Sequence, residues 1–304
     1  MNSWDVKSYI DEELNKKDCN CDQLLNAMLF RFPKEAVIAG LNYILDDKEE
    51  IELLNKTIRF INIKRYNECL KALIDFILKA RSEACFLNLK VLAIKTISNF
   101  KDTSAVPSLL FCLNNKDSNY KIRLAAAEAL GKIGDKNAFE ALGNVICDEK
   151  EKSTYIKESA VVALGMLGDS RALDVFETIM TGKQMFLDKF SYLKERVVES
   201  ISKFDISRDR KALEILKSSL HEPSSQVRIG AIETLMNSDI NEAYDLIYER
   251  LCNDIDLEVK KNALVALYNI SDRKILDEVL AGDFDIEIKD YAQELIDEYE
   301  ESDE

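Results

Sequence analysis

One pattern recurs along this chain of 304 residues and constrains its fold more than any other feature. In each copy an aliphatic residue, here position 0, is followed by a base at +1, a small residue at +4 and an aliphatic residue at +8. Copies lie 29 to 37 residues apart, and the fourth is the loosest. They begin at Leu89, Ile122, Ile156, Leu193, Val227, Val259 and Ile288.

Positions 0, +4 and +8 fall on one face of an α-helix, so each copy predicts a helix with one buried stripe. Small residues at +3 and +7 predict a second crowded face in several copies. Two packed faces on one helix require neighbours on both sides, as in a stack. These small residues are Ala125 and Ala129, Ser159 and Ala163, and Gly230 and Thr234.

A second amphipathic segment follows each of the first six copies, and an aspartate stands before it. The aspartate is placed to accept from the free N–H groups of the next helix. Gly134 and Gly168 suit the left-handed position that closes a helix. The repeating unit is therefore two antiparallel helices, which must stack to bury both faces. The aspartates are Asp102, Asp135, Asp169, Asp205, Asp239 and Asp272, and clear second segments are 105–113, 138–146, 172–179 and 243–251.

Composition supports an all-α chain and limits its partners. There are 3 Pro and 9 Gly, far below the roughly 5% and 7% of ordinary globular proteins, which disfavours folds rich in strands and turns. The net charge of −15 disfavours binding to nucleic acid or to anionic membranes. We expect no membrane span and no signal peptide, so we expect a cytoplasmic protein with reduced thiols. Six of its seven cysteines are expected to be buried or half-buried: Cys21, Cys69, Cys85, Cys112, Cys147 and Cys252.

The segments 120–135 (YKIRLAAAEALGKIGD) and 155–169 (YIKESAVVALGMLGD) resemble HEAT repeats, in particular the type found in phycobilisome-lyase-like proteins. The resemblance extends from about residue 79 to about residue 300, and Pro107 matches the first-helix proline of some HEAT units. It implies a right-handed α-α superhelix, or solenoid, of about seven to nine helical hairpins. It also implies that second helices line the concave face and that the chain binds protein.

We predict a single solenoid over residues 1–304. Residues 81–289 would be regular repeats and residues 290–304 an acidic C-terminal cap. Residues 1–80 keep the spacing without the base and are predicted to be divergent helical pairs that form the N-terminal cap. The residues that carry this spacing are Leu24, Met28 and Phe32, then Leu53, Thr57 and Ile61. A separate N-terminal helical domain is the alternative.

The recurring bases form a ladder with one rung per repeat. We interpret the ladder as structural, each base pairing with acids near the inter-helix turns, such as Asp117, Asp188, Asp254 or Asp256. A functional basic stripe is the alternative. The rungs are Lys90, Arg123, Lys157, Lys194, Arg228, Lys260 and Lys289.

Catalytic chemistry finds little support. Cys19 and Cys21 are the only close thiol pair, and a zinc site needs four ligands. His221 is the only histidine and falls in a polar turn, where a surface side chain is expected. A metal or redox role of the cysteine pair stays open as an alternative. We therefore expect no cofactor, no metal and no catalytic residues, and we expect that the chain is not an enzyme.

Residues at +6, +9 and +10 of the second helices are expected to point away from both packed sides and to form a binding face for a partner. This face is acidic with apolar spots, and it suits a basic amphipathic peptide or protein. Its residues are Glu128, Lys132, Val162, Met166, Glu199, Lys203, Glu233, Met236, Val265 and Tyr268, with Tyr120, Tyr155 and Tyr192 along one rim.

The fourth repeat carries an insertion, Met185 to Tyr192, with Met185, Phe186 and Phe190 as further candidate anchors. Flexible and aromatic side chains of this kind are favoured at interfaces. The alternative is that they pack back onto the solenoid.

Three functions compete at this level. The leading hypothesis is a non-enzymatic scaffold or adaptor that binds a protein along the concave face. A chromophore lyase-like modifying protein is the alternative suggested by the resemblance, although no residue set can be carried over. A nucleic-acid-binding protein, similar to HEAT-like DNA glycosylases, is disfavoured by the charge.

Overall fold

The computed structural model describes residues 3–16, 19–79, 84–182, 187–271 and 273–302, without the side chains of 3–4, 187–191 and 299–302. Within these ranges every regular element is helical, which confirms the all-α prediction. The α-helices, in chain order, are α1 Ser3–Leu14, α2 Cys21–Arg31, α3 Lys34–Asp47, α4 Ile51–Lys64, α5 Leu70–Leu78, α6 Ala84–Phe100, α7 Val106–Asn114, α8 Tyr120–Ile133, α9 Phe139–Cys147, α10 Thr154–Leu167, α11 Ala172–Thr181, α12 Leu187–Ile201, α13 Arg210–Ser219, α14 Ser225–Met236, α15 Ala243–Asn253, α16 Leu257–Ser271, α17 Lys274–Ala281 and α18 Ile286–Ser302.

The chain divides into two compact units, unit 1 over residues 1–163 and unit 2 over residues 164–304, with the division inside α10. Each unit is a stack of antiparallel helical hairpins, as expected of an α-solenoid. The right-handed sense of the superhelix and the cap over residues 1–80 stay predictions.

The second helices form one layer in each unit. In unit 1, α6 packs against α4 on one side and α8 on the other, while α5 and α7 pack against their own second helices. In unit 2, α14 lies between α12 and α16, and α16 also contacts α18. The recurring pattern therefore marks helices that pack against copies of themselves.

The buried stripe follows the sequence pattern closely. All described residues at positions 0, +4 and +8 are buried except Ile122, which is half-buried. Burying an aliphatic side chain contributes roughly 1.5–3 kcal/mol, so each Leu, Ile or Val of the stripe stabilises the stack. Leu53, Thr57 and Ile61 on α4 are buried as well, and so are Leu24 and Met28 on α2.

Neighbouring second helices approach closely where α8 and α10 carry glycine at +9. A Cβ atom on Gly131 would lie 2.6 Å from the Cα of Ala163, and one on Gly165 would lie 2.7 Å from the Cβ of Ser200. Position +9 thus faces the next second helix in α8 and α10, and the expectation that +9 points outward is wrong there. Small size at this position allows the backbones to meet.

Three of the five predicted aspartates that the structure describes act as caps. Asp239 does not, because α15 begins after Glu242 without a side-chain cap. Asp102, Asp135 and Asp169 each accept a hydrogen bond from the backbone N–H two residues later, at 2.9 to 3.1 Å. The prediction for Asp205 is wrong, because the turn runs four residues further and Asp209 caps α13 instead. Asp272 lies outside the described residues.

Four helix ends share the left-handed conformation at position +12. Gly134 and Gly168 adopt it with φ of 79° and 60°, as predicted. Arg65 and Lys101 occupy the same register in the two preceding repeats, with φ of 56° and 54°. A residue other than glycine in this conformation costs about 1–2 kcal/mol of folding free energy. Glycine would therefore be more stable than a base at these two positions.

The cysteines only partly follow the expectation. Cys69 and Cys112 are buried and Cys21 is half-buried, but Cys85, Cys147 and Cys252 are exposed. Those three lie on solvent-facing positions at or near helix ends, which the helical pattern alone did not distinguish from core positions.

Candidate functional site

Five of the seven rungs of the basic ladder make contacts that hold the repeats together, whereas Lys157 and Lys289 form no ion pair with any residue that the structure describes. Arg228 donates from Nε and Nη2 to the two carboxylate oxygens of Asp254, both at 2.8 Å, with the two side chains 8% and 2% exposed. Its Nη1 also donates to the backbone oxygens of Glu222 and Pro223. The guanidinium therefore links the turn before α14 to the turn before α16, and the predicted pairing with Asp254 is confirmed.

Other rungs use partners that the sequence did not indicate. Arg123 donates to the backbone oxygen of Leu113 at 2.9 Å and to Glu151 at 2.5 Å. Lys194 pairs with Glu222, and Lys260 pairs with Asp285. Lys90 donates to the backbone oxygen of Lys79. Asp256 instead caps α16 through the N–H of Glu258, Asp117 is exposed, and the side chain of Asp188 lies outside the described residues.

An open groove of about 380 Å³ lies on the outward face between α12 and α14. Glu195 and Glu199 line it from α12, at +2 and +6, and Ile229 and Glu233 line it from α14 at the same registers. The absence of a side chain at Gly230 leaves room at the α14 wall. We call this feature the acidic groove; its remaining lining residues are Arg196, Ser202, Gln226, Thr234 and Asn237.

The lining of the acidic groove contains more acidic than basic side chains. Arg196 forms an ion pair with Glu199 at 2.5 Å, and both side chains are about half exposed. Three carboxylates therefore share the lining with one guanidinium. Such a surface attracts a cation, and Ile229 offers an apolar contact beside it.

The predicted binding residues fall into two groups. Glu128, Met166, Glu199 and Glu233 are exposed, and so are Tyr120 and Tyr155 at the starts of α8 and α10. Tyr192 is also exposed, but it lies more than one turn inside α12. Val162, Met236, Val265 and Tyr268 are half-buried. Glu199 and Glu233 come together in the acidic groove. Met185 and Phe186 lie outside the described residues, as does the side chain of Phe190.

Position +2 was missed at the sequence level. Glu195 and Ile229 stand one turn before the +6 residues and therefore on the same helix face. Extending the outward register back by four residues would have found both.

The remaining candidates for chemistry offer little. Burial raises the pKa of the Cys19 and Cys21 thiols, which disfavours the thiolate needed for metal binding or redox exchange. His221 is exposed in its turn, as expected. Within the described ranges, no group of three His, Cys, Asp or Glu side chains could hold a metal ion. No helix there is long and apolar enough to cross a bilayer.

Comparison with known proteins identifies the repeat. The family model described as HEAT repeats matches residues 70–152 and 115–187. This confirms the resemblance inferred from the two central copies. No curated protein matches the chain.

Solved structures of two other proteins are similar over most of the chain. Human deoxyhypusine hydroxylase in complex with glycerol is 16% identical, covering 91% of this chain and 99% of its own, with a TM-score of 0.40. The complex of CpcE and CpcF of phycocyanin lyase from Nostoc sp. PCC7120 is 18% identical, covering 87% and 98%, with a TM-score of 0.47. At these values neither likeness bears on activity.

Proposed function

Residues 70–187 of this chain are HEAT repeats, and from that premise we propose that the chain is a non-enzymatic scaffold that binds a basic amphipathic segment of another protein. The observation that carries the proposal is the acidic groove, where two side chains predicted to bind a partner lie together. The occupant would place lysine or arginine opposite Glu199 and Glu233 and an apolar side chain against Ile229.

Electrostatics favours this class of partner. Unit 2 carries 32 acidic and 17 basic residues, so the long-range field of this unit attracts cations. Complementary charge of this kind speeds encounter and selects among partners more than it adds affinity. The apolar neighbours then decide whether the segment stays bound.

The proposal is tested with a synthetic amphipathic helix of Lys, Leu and Ala as the probe, followed by fluorescence anisotropy at low and moderate salt. We expect binding that weakens with salt. Glu199→Lys with Glu233→Lys should weaken it about tenfold or more, because surface charge pairs contribute up to about 1 kcal/mol each and reversal adds repulsion.

The matched control is Glu214→Lys with Glu294→Lys, which reverses two exposed acids on α13 and α18, outside the acidic groove. An equal loss of affinity in both variants would mean that net charge alone attracts the peptide and that the acidic groove is not the binding site. Affinity capture with the same variants, followed by mass spectrometry, then identifies the natural partner. Glu128→Lys extends the test to the corresponding register of unit 1.

A further inference from the structure

Three exposed bases lie at the ends of second helices in unit 1, and two of them reach the same residue. The Nη1 atom of Arg65 lies 2.9 Å from the backbone oxygen of Asn99. The Nζ atom of Lys132 donates to the Oδ1 atom of the same asparagine. Lys101 stands two residues further along the chain. We call Arg65, Lys101 and Lys132 the cationic cluster.

The cluster differs from the ladder in what its bases bind. The ladder arginines, buried as they are, each reach a carboxylate. Arg65 and Lys132 instead donate to amide and carbonyl oxygens. Among the residues that the structure describes, none of the three cluster bases forms an ion pair, so their charge is available to a partner.

Two of these bases occupy an unfavourable backbone conformation. Arg65 and Lys101 hold the left-handed +12 position that Gly134 fills in the next repeat. The attraction of a base to the helix C-terminus does not require this placement. Helix α8 has Lys132 in its last turn and Gly134 after it. There the base interacts with the helix dipole, and glycine takes the left-handed position without strain. Strain held at a surface position is a reason to look for a binding role.

The surroundings indicate the chemistry of the occupant. Ile63, two residues before Arg65, is 75% exposed beside the cluster. Residues 51–163 carry 18 bases and 13 acids, in contrast to the acidic remainder of the chain. Anionic groups with an apolar side chain among them match this surface. A nucleic-acid backbone would leave Ile63 uncovered and would be repelled by the net charge of −15.

Spacing favours a helix as the occupant. The charged ends of Arg65 and Lys132 both reach Asn99, so these two charges lie close together although they come from α4 and α8. Residues four apart on a helix are separated by about 6 Å along the axis and share one face. A helix laid across the ends of α4, α6 and α8 would present two carboxylates, one turn apart, to these bases.

We propose that the cationic cluster, with Ile63, docks an acidic amphipathic helix of a partner protein. This site is separate from the acidic groove and has the opposite charge, so it does not depend on the proposed function above. The chain would then hold two segments of opposite charge, one on each unit.

The probe is a synthetic helical peptide that carries pairs of Glu four residues apart with Leu and Ala between, and its binding is followed by fluorescence anisotropy. Arg65→Gly with Lys101→Gly should reduce affinity about tenfold while raising the unfolding midpoint, because glycine relieves the left-handed strain. A folded and more stable variant that has lost binding separates a binding role from a structural one. Ile63→Ser should also weaken binding.

Lys71→Ala with Lys121→Ala is the matched control, since it removes two exposed bases of unit 1 outside the cluster and should leave affinity within about twofold. Unchanged binding in the Arg65→Gly and Lys101→Gly variant would overturn the proposal, as would the absence of wild-type binding at low salt. Tighter binding of a duplex DNA oligonucleotide than of the peptide would indicate that the partner is a nucleic acid and not a protein. Glu199→Lys with Glu233→Lys should not reduce binding of the acidic peptide. The proposal for the cationic cluster and the proposal for the acidic groove can therefore be refuted independently.

Discussion

Unit 1 and unit 2 are built from the same helical repeat but carry very different charge. Unit 1 has 24 bases and 24 acids, whereas unit 2 has 17 bases and 32 acids, so the whole formal charge of −15 belongs to unit 2. The outward ends of second helices bear the cationic cluster in unit 1, and the acidic groove lies on the outward face of unit 2.

The difference separates positions that the stack fixes from those that it leaves free. Positions 0, +4 and +8 are buried in both units except at the half-buried Ile122. A ladder arginine also pairs with a buried carboxylate in each unit, Arg123 in unit 1 and Arg228 in unit 2. Positions +2, +6, +10 and +12 contribute less to packing and vary in charge. Binding specificity in a repeat protein can therefore change along the chain without a change of fold.

Substitutions in the basic ladder are expected to change stability most, and they test a feature that the two units share. Arg228→Ala in unit 2 and Arg123→Ala in unit 1 should each lower the free energy of unfolding by about 3–5 kcal/mol, because a buried carboxylate loses its partner. Urea denaturation followed by circular dichroism measures this.

Lys260→Ala is the comparison variant for the ladder. Its partner Asp285 is 56% exposed, and the loss should stay below about 1 kcal/mol. A cost for Arg228→Ala as small as that of Lys260→Ala would show that the ladder does not hold the turns together.

Glycine substitutions test how closely the second helices approach in each unit. Gly131→Ala in unit 1 would place a Cβ 2.6 Å from the Cα of Ala163 and should cost about 1–3 kcal/mol, because backbone must move. Gly230→Ala in unit 2 meets only Val198 Cγ1 at 3.4 Å. It should be neutral or stabilise the helix by up to about 1 kcal/mol. Thermal unfolding of the two variants side by side distinguishes them, and equal destabilisation would contradict the described packing.

The smallest expected effect on stability concerns Asp102 and Asp205, whose side-chain pKa values both lie below the usual value. A serine hydroxyl two residues later is the main cause for each, Ser104 for Asp102 and Ser207 for Asp205. Only Asp102 caps a helix, so Asp102→Ala should cost about 1 kcal/mol at pH 7, and Asp205→Ala should cost less.

The pH dependence follows from the sign of the shift. The folded-state pKa of Asp102 lies below its usual value of 3.8, so its contribution is complete above that pH. It is lost as the pH falls through the folded-state value. The stability difference between wild type and Asp102→Ala should therefore shrink toward pH 3. A constant difference from pH 7 to pH 3 would remove the carboxylate from the explanation.

Much of the fold could be predicted because the relevant forces act within one helix or between copies of it. The stripe at 0, +4 and +8, the caps Asp102 and Asp135, and the helix ends at Gly134 and Gly168 all depend on local spacing. The prediction failed at Asp205, because the turn before α13 is longer than the pattern implies. It also missed the partners of Arg123, Lys194 and Lys260, since these depend on how each turn presents its acid.

The candidate site was harder to predict. Glu199 and Glu233 were placed on the outward face, but their meeting in one groove depends on the approach of α12 and α14 and on Gly230 between them. Arg65 and Lys101 were not singled out, because a base at a helix end looks ordinary until its φ is known.

The sequence by itself determined that this chain must stack amphipathic hairpins, since one hairpin cannot bury an aliphatic stripe and a small-residue face alone. Tertiary structure decided which outward side chains become neighbours and which charges stay without an opposite partner. The reason is that stripe and cap follow a helical period of a few residues. The acidic groove and the cationic cluster join residues about 35 positions apart, whose distance depends on how closely two helices pack.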